Sequence, residues 1–233
     1  MLETKNGLVE ALFKVGAHFG YARSRRHATM KGLVFGTKNQ TDILDLTKTS
    51  TMLESVLAYV KALGAQGKIL LFVSGKPEMA QLIRETAASI NMPFVAGRWL
   101  GGTLSNFPEI KKRMNRMKEL IDERESGTSV KKYTKKERLM IGREIARLEE
   151  NFTGIVSLDR IPDALVVVDT KREDNAVKEA RGLGTPVIGI MNSDCDLSLV
   201  THPVVGNDAS RDSVEYFLKE ITGAYEAGRV QGA

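Results

Sequence analysis

Lys68-Ile69-Leu70-Leu71-Phe72-Val73 carries apolar side chains at five successive positions and runs directly into Ser74-Gly75-Lys76. A strand with one wet face alternates apolar and polar residues. An unbroken apolar run instead fits a strand buried on both faces, as in a parallel sheet covered by helices. Residues 163–169, Asp-Ala-Leu-Val-Val-Val-Asp, repeat the pattern. Around these two runs, strand and helix signals alternate. Residues 77–90 read as a helix with its proline in the tolerated first turn. Residues 93–96 read as a strand, and 174–181 as a helix ended by Gly182-Leu183-Gly184. Residues 186–191 and Val204-Val205 read as strands, and 208–227 as a final helix. Such alternation links parallel strands by right-handed crossovers. The expected fold class is therefore α/β, a flavodoxin/Rossmann-like parallel sheet covered by helices.

Upstream, Leu8, Leu12 and Val15 share one face of a short helix stopped by Gly16. Residues 18–27 read as a basic loop holding an aromatic, and 33–35 and 42–46 as short strands. Thr47 is the expected cap of a helix running to about residue 63.

Residues 107–150 interrupt the rhythm. Half of these 44 residues are charged, against 27% of the whole chain. Ile110, Met114, Met117 and Ile121 are spaced four, three, four, and Ile141, Ile145, Leu148 and Phe152 repeat that spacing. Two narrow seams of this kind predict an antiparallel coiled-coil hairpin. It is broken at Ser126-Gly127 and restarted by a capping box from Thr134 to Glu137. Arms of roughly 25–28 Å follow from the rise per residue. The expected organisation is a globular domain of residues 1–106 plus 151–233 and a protruding hairpin of residues 107–150.

Composition narrows the function. Of 233 residues, 42% are hydrophobic, and the longest apolar runs are strand-sized, far short of the ~20 residues of a membrane span. A single cysteine, Cys195, excludes an internal disulfide and points to a reducing compartment. The start of the chain lacks the basic, apolar and small-residue sections of a signal peptide and reads as mature protein. Charge is unevenly placed. Residues 1–40 carry 7 basic and 2 acidic side chains, residues 107–150 carry 13 and 9, and residues 151–233 carry 8 and 13. That asymmetry suggests a polyanion met through particular regions.

Catalytic and cofactor signatures are weak. No GxGxxG follows a strand, and Ser74-Gly75-Lys76 lacks the earlier glycine and spacing of a P-loop. Thr37-Lys38-Asn39 only faintly matches a guanine-reading loop. Asp194-Cys195-Asp196 with His202 offers metal ligands, but one thiol and scattered carboxylates do not make a metal signature. No cofactor, metal or catalytic set is expected. Positive charge beside aromatics remains. Arg23, Arg25 and Arg26 lie near Tyr21, and Arg98 adjoins Trp99, the only tryptophan. Lys111 and Lys112 sit on the first arm, and Lys131, Lys132, Lys135 and Lys136 at the hairpin tip, a stretch with no acid in sequence. Arginine forks suit phosphates and stack on bases, and lysines add point charge. These eleven residues are the predicted set for meeting a polyanion. Two rivals stand beside it: a nucleotide-dependent α/β enzyme using Ser74-Gly75-Lys76, and a coiled-coil adaptor binding a protein through residues 110–121.

The order of short motifs resembles the bacterial small-ribosomal-subunit protein S-two family over almost the whole chain. The carriers are Val15-Gly16-Ala17-His18-Phe19-Gly20, Val34-Phe35-Gly36-Thr37-Lys38-Asn39 and Ile43-Leu44-Asp45-Leu46-Thr47-Lys48-Thr49. Further along come the 68–73 strand, Pro162-Asp163-Ala164-Leu165-Val166-Val167-Val168-Asp169 and Gly206-Asn207-Asp208. Most specific is Arg98-Trp99-Leu100-Gly101-Gly102-Thr103-Leu104-Ser105-Asn106-Phe107, similar to the family's RWLGGxLTN. The chain departs from the family at residues 21–30, where a WNPKM-containing loop keeps clearly only Met30, and at Cys195, where the family loop has proline. The resemblance implies a non-catalytic structural protein of the cytoplasmic small subunit that is not a homo-oligomer. It would contact small-subunit rRNA with both its globular part and its hairpin, lie beside other small-subunit proteins, and help dock ribosomal protein S-one.

Overall fold

The structure, a computed structural model, describes residues 2–127 and 132–232. Five strands form the main sheet: β4 (Leu70–Ser74), β5 (Phe94–Ala96), β6 (Ala164–Val168), β7 (Val187–Met191) and β8 (His202–Val205). Every pairing is parallel and the spatial order is β5-β4-β6-β7-β8. Numbered by appearance, that order is two-one-three-four-five, the flavodoxin-like arrangement. The apolar runs owe their continuity to this burial. Leu70, Phe72, Ala164, Val166 and Val168 enter one core cluster, and the alternate residues Leu71, Val73, Leu165 and Val167 enter a second on the opposite face.

The first cluster is covered by α1 (Leu2–Lys14), α2 (Leu46–Ala65), α3 (Ala80–Ser89) and the C-terminal α7 (Arg211–Gly232). Helices α2 and α7 touch backbone to backbone. A Cβ added at Gly228 would stand 2.0 Å from the Lys61 carbonyl oxygen, and one at Gly64 would stand 2.1 Å from that of Tyr225. The second cluster is covered by α6 (Asp174–Gly182), by the root of a helical hairpin and by a small antiparallel sheet.

That small sheet is β1 (Phe19–Ala22), β2 (Val34–Lys38) and β3 (Thr41–Leu44), in the order β1-β3-β2. Strand β1 corrects the expectation of a loop over residues 18–27. Only four residues pair, with an irregular register against β3, too little for a periodic signal. Asn39 and Gln40, both at positive φ, make the two-residue turn between β2 and β3, so Thr37-Lys38-Asn39 belongs to a hairpin. The cap of α2 is also corrected. Asp45 Oδ1 accepts the N–H groups of Thr47 and Lys48.

Helices α4 (Phe107–Glu125) and α5 (Lys135–Phe152) are inserted between β5 and β6. Thr134 and Glu137 form the expected capping box. Ile110, Met114 and Met117 are buried as predicted, with Leu120 in place of half-buried Ile121. On α5, Ile145 and Phe152 are buried, and Ile141 and Leu148 are half-buried. Ile110, Met114, Met117 and Phe152 share a cluster with Leu71 and Val73, so the root of the hairpin is part of the body's core. Lys111 Nζ donates to Asp159 and Lys118 Nζ to the Val156 carbonyl, which ties α4 down further.

Candidate nucleic-acid interface

Open α/β sheets hold ligands in the crevice where neighbouring strands' connections diverge, here at the carboxyl ends of β4 and β6. The chain fills that place itself. Lys76 is buried, with Nζ 2.9 Å from Asp169 Oδ2 and 3.4 Å from Asp208 Oδ2, and it donates to the Asp208 carbonyl at 2.8 Å. Burial opposes its charge, but Asp208 and Asp169 outweigh burial and raise its pKa. The Gly75 N–H is taken by Glu173 Oε1 at 2.8 Å. The lysine and the amide that a phosphate would need are both committed to carboxylates.

Asp169, Cys195 and Asp208 bring ligand atoms within 4.8 Å of one another. The Lys76 ammonium already stands against both carboxylates, and burial pushes the Cys195 thiol up to about 11. The grouping suggested by sequence is not assembled. Asp194 is held by Arg25 at 2.7 Å and Lys171 at 3.2 Å. His202 stacks on Tyr59 at the start of β8, opposite Ile188, which places it towards the other end of the sheet.

The basic loop divides into paired and free residues. Arg26 grips the fully buried Asp42 with two nitrogens, Nε to Oδ2 at 2.6 Å and Nη2 to Oδ1, while Thr37 donates to Oδ1 at 3.0 Å. The arginine's hydrogen bond holds the Asp42 carboxyl below its ordinary range against the opposing effect of burial. Arg26 thus serves the fold, which corrects its place among the RNA-facing residues. Arg25 lies over the Tyr21 ring at 4.1 Å and pairs with Asp194, with half its side chain exposed. Arg23 is exposed and makes no ion pair among the described residues, although its charge is near enough to act on the Asp42 carboxyl.

The Arg98–Asn106 loop is organised from below. Glu179 on α6 accepts from Trp99 Nε1 (3.1 Å) and Gly102 N (2.8 Å) on one oxygen. Its other oxygen accepts from Leu104 N (3.0 Å), Ser105 N (3.1 Å) and Ser105 Oγ (3.1 Å). Burial pushes this carboxyl upward, but the donors outweigh it and leave it below its usual range. Trp99 is 6% exposed, so it anchors the loop and offers no stacking face, a second correction. Arg98 is exposed beside a 360 Å³ cavity that Arg172 also lines.

On the hairpin, Lys112 is exposed and pairs with Glu109 at 2.6 Å. Lys135 and Lys136 are exposed without partners among the described residues. Lys131 lies outside the described residues. Lys132 is not free of acids: Glu123, across the hairpin, meets it at 3.0 Å, a contact invisible in the linear stretch.

Residues 12–228 match the family described as Ribosomal protein S2. The chain belongs to this family. It is 37% identical over 218 residues to the small ribosomal subunit protein uS2 of Helicobacter hepaticus, covering 94% of this chain and 82% of that one. It is 38% identical over 222 residues to the protein of the same name from Dictyoglomus turgidum, covering 95% and 90%. The corresponding Acidothermus cellulolyticus protein is 39% identical over 220 residues, covering 94% and 80%.

The S2-family chain also carries cations that sequence reading did not include in the site. Arg113 on α4 and Arg147 on α5 line a 530 Å³ groove at the hairpin root, with Lys112 and Arg116. Arg113 and Arg147 sit next in sequence to the seam residues Met114 and Leu148, so they could have been read from the same spacing. Lys171 and Arg172 follow β6 in a stretch whose net charge is acidic, and that average hid them. Among the described residues, no helix is long and apolar enough to cross a membrane.

Proposed function

We propose that the chain is a non-catalytic structural constituent of the small ribosomal subunit. It holds small-subunit rRNA through the loop carrying Arg23 and Arg25, through Arg98, and through the hairpin cations Lys111, Lys112, Lys131, Lys132, Lys135 and Lys136. By this reading it works in the cytoplasm, as a single copy beside other small-subunit proteins. Residues 107–150 act as one binding unit, a coiled-coil arm, and 1–106 with 151–233 as the other. Membership of the S2 family supports the reading. The observation that carries it is the sorting of charge. Cations inside the body are neutralised by carboxylates, whereas Arg23, Arg98, Lys135 and Lys136 are exposed and unpaired among the described residues. Backbone phosphates are the natural counter-charge for such a set, with RNA shape mattering more than base readout. Gradient sedimentation of a native lysate, with the protein followed by antibody, tests this. Migration with small subunits that loosens as salt rises is expected. A signal that stays with free proteins at low salt overturns the reading.

A further inference from the structure

The groove between the roots of α4 and α5 has two chemistries. Leu100 and Leu148 supply an apolar floor, with Phe152 buried beneath it. Around it stand four cations, Lys112, Arg113, Arg116 and Arg147, against one acid, Glu144. Lys112 is answered by Glu109 at 2.6 Å, and Arg116 by Glu119 and Glu144 at 3.8 and 3.9 Å. Arg113 and Arg147 both line the groove and have no ion pair among the described residues. At 530 Å³ the groove lies within the roughly 300–1,000 Å³ of small-ligand sites.

A fully paired RNA helix would bring only phosphates here and leave the apolar floor against water. An acidic peptide's carboxylates would take the arginine forks but bring no flat face to stack on the guanidinium planes and cover the apolar floor. An unpaired nucleotide uses everything present, because its base is a flat apolar surface that stacks on guanidinium planes and its phosphates take arginine forks. We propose that this groove receives a single extruded nucleotide of RNA, its base over Leu100 and Leu148 and stacked on the guanidinium planes of Arg113 and Arg147, whose N–H groups also take its flanking phosphates. The proposal rests on the rRNA-binding reading and adds the form of RNA recognised.

The test reconstitutes small subunits lacking this protein with the full-length chain, with Arg113→Ala/Arg147→Ala and with Arg113→Lys/Arg147→Lys, after circular dichroism shows each variant folded. The rRNA is then probed with base-reactive reagents and with hydroxyl radicals. The wild-type chain is expected to protect one unpaired base. The double alanine variant loses that protection, binds about tenfold or more weakly, and shows a log–log salt slope smaller by about 1–2. The double lysine variant keeps the salt slope and loses the base protection, because it retains charge but not the stacking plane. Protection confined to sugars and phosphates of paired RNA, or base protection that survives in the alanine variant, overturns the proposal. Saturable binding of free AMP or GMP without a base footprint overturns it in favour of a soluble nucleotide, and loss of a neighbouring protein with an unchanged RNA footprint overturns it in favour of a peptide. If the wild-type chain fails to join small subunits at all, the ribosomal reading falls first and this one with it.

Discussion

The carboxyl end of the sheet and the helical hairpin are both rich in charge, and they use it in opposite ways. At the sheet, Arg26 and Lys76 are drawn inward onto Asp42, Asp169 and Asp208, and two of those carboxylates are fully buried. On the hairpin, ion pairs are exposed and several cations lack any partner among the described residues. Buried charge that is already paired strongly resists losing one partner. Exposed ion pairs contribute on the order of 0–1 kcal/mol and are free to exchange partners. The first region spends its charge on the fold, and the second keeps its charge for something outside the molecule.

The largest effect that would break this contrast comes from Asp42→Ala. Removing the carboxylate leaves Arg26 with four-fifths of its side chain covered and no counter-charge. Loss of one member of a buried pair typically costs about 3–5 kcal/mol, and the residual exposure of Arg26 places the expected loss near the lower end. The measurement is the urea midpoint at unchanged m-value. A loss below about 1 kcal/mol would mean that the body's charge is no more structural than the hairpin's.

How far the sequence reveals this contrast depends on the range of the interaction. The main sheet was legible because burial on both faces leaves a local mark, the apolar runs at 69–73 and 164–168. The capping box at Thr134 was legible because its partners are three residues apart. Strand β1 was not, because four residues with a shifted register carry no period. The fate of single cations was least legible. Arg26 meets Asp42 sixteen residues away, Lys76 meets Asp208 at a separation of 132, and Lys132 meets Glu123 around a helix turn-over that the linear stretch conceals. Trp99 read as a surface aromatic because its holder, Glu179, lies 80 residues on. Charge counts by segment show where cations are abundant. Only packing shows which of them are already spent.

An intermediate effect comes from pH and sharpens the account of the buried cluster. Burial pushes Asp208 up to about 6 from an ordinary 3.8, against the pull of Lys76. Between those values the folded state therefore holds the proton more tightly than the unfolded chain does. This group's contribution to stability is then present in full at low pH and declines as pH rises towards about 6. Asp42 has the opposite sign: its lowered pKa gives a contribution present above the unfolded value and lost in acid. Asp208→Asn removes the first of these and leaves the second. The stability of wild type relative to this variant should fall from pH 4 to pH 6 and flatten above, measured by urea unfolding across that range. A constant difference would mean that Lys76 keeps Asp208 ionised throughout.

The smallest effect on stability is expected at the hairpin tip, where replacing Lys131, Lys132, Lys135 and Lys136 together with alanine should change unfolding by no more than about 0.5 kcal/mol per residue replaced. Of these, Lys132 alone has a described acidic partner, and that pair is exposed. The same replacement should be conspicuous in binding. If the four side chains meet phosphates, the log–log salt slope of association with small subunits should shrink by up to roughly 0.9 per lysine, with the affinity at low salt falling alongside it. A folded variant with an unchanged slope would show that the tip is only a solvated surface, and the burden of RNA contact would shift to the hairpin root and the Arg23 loop. A variant that loses stability instead would place the tip with the sheet's carboxyl end, as charge the fold itself consumes.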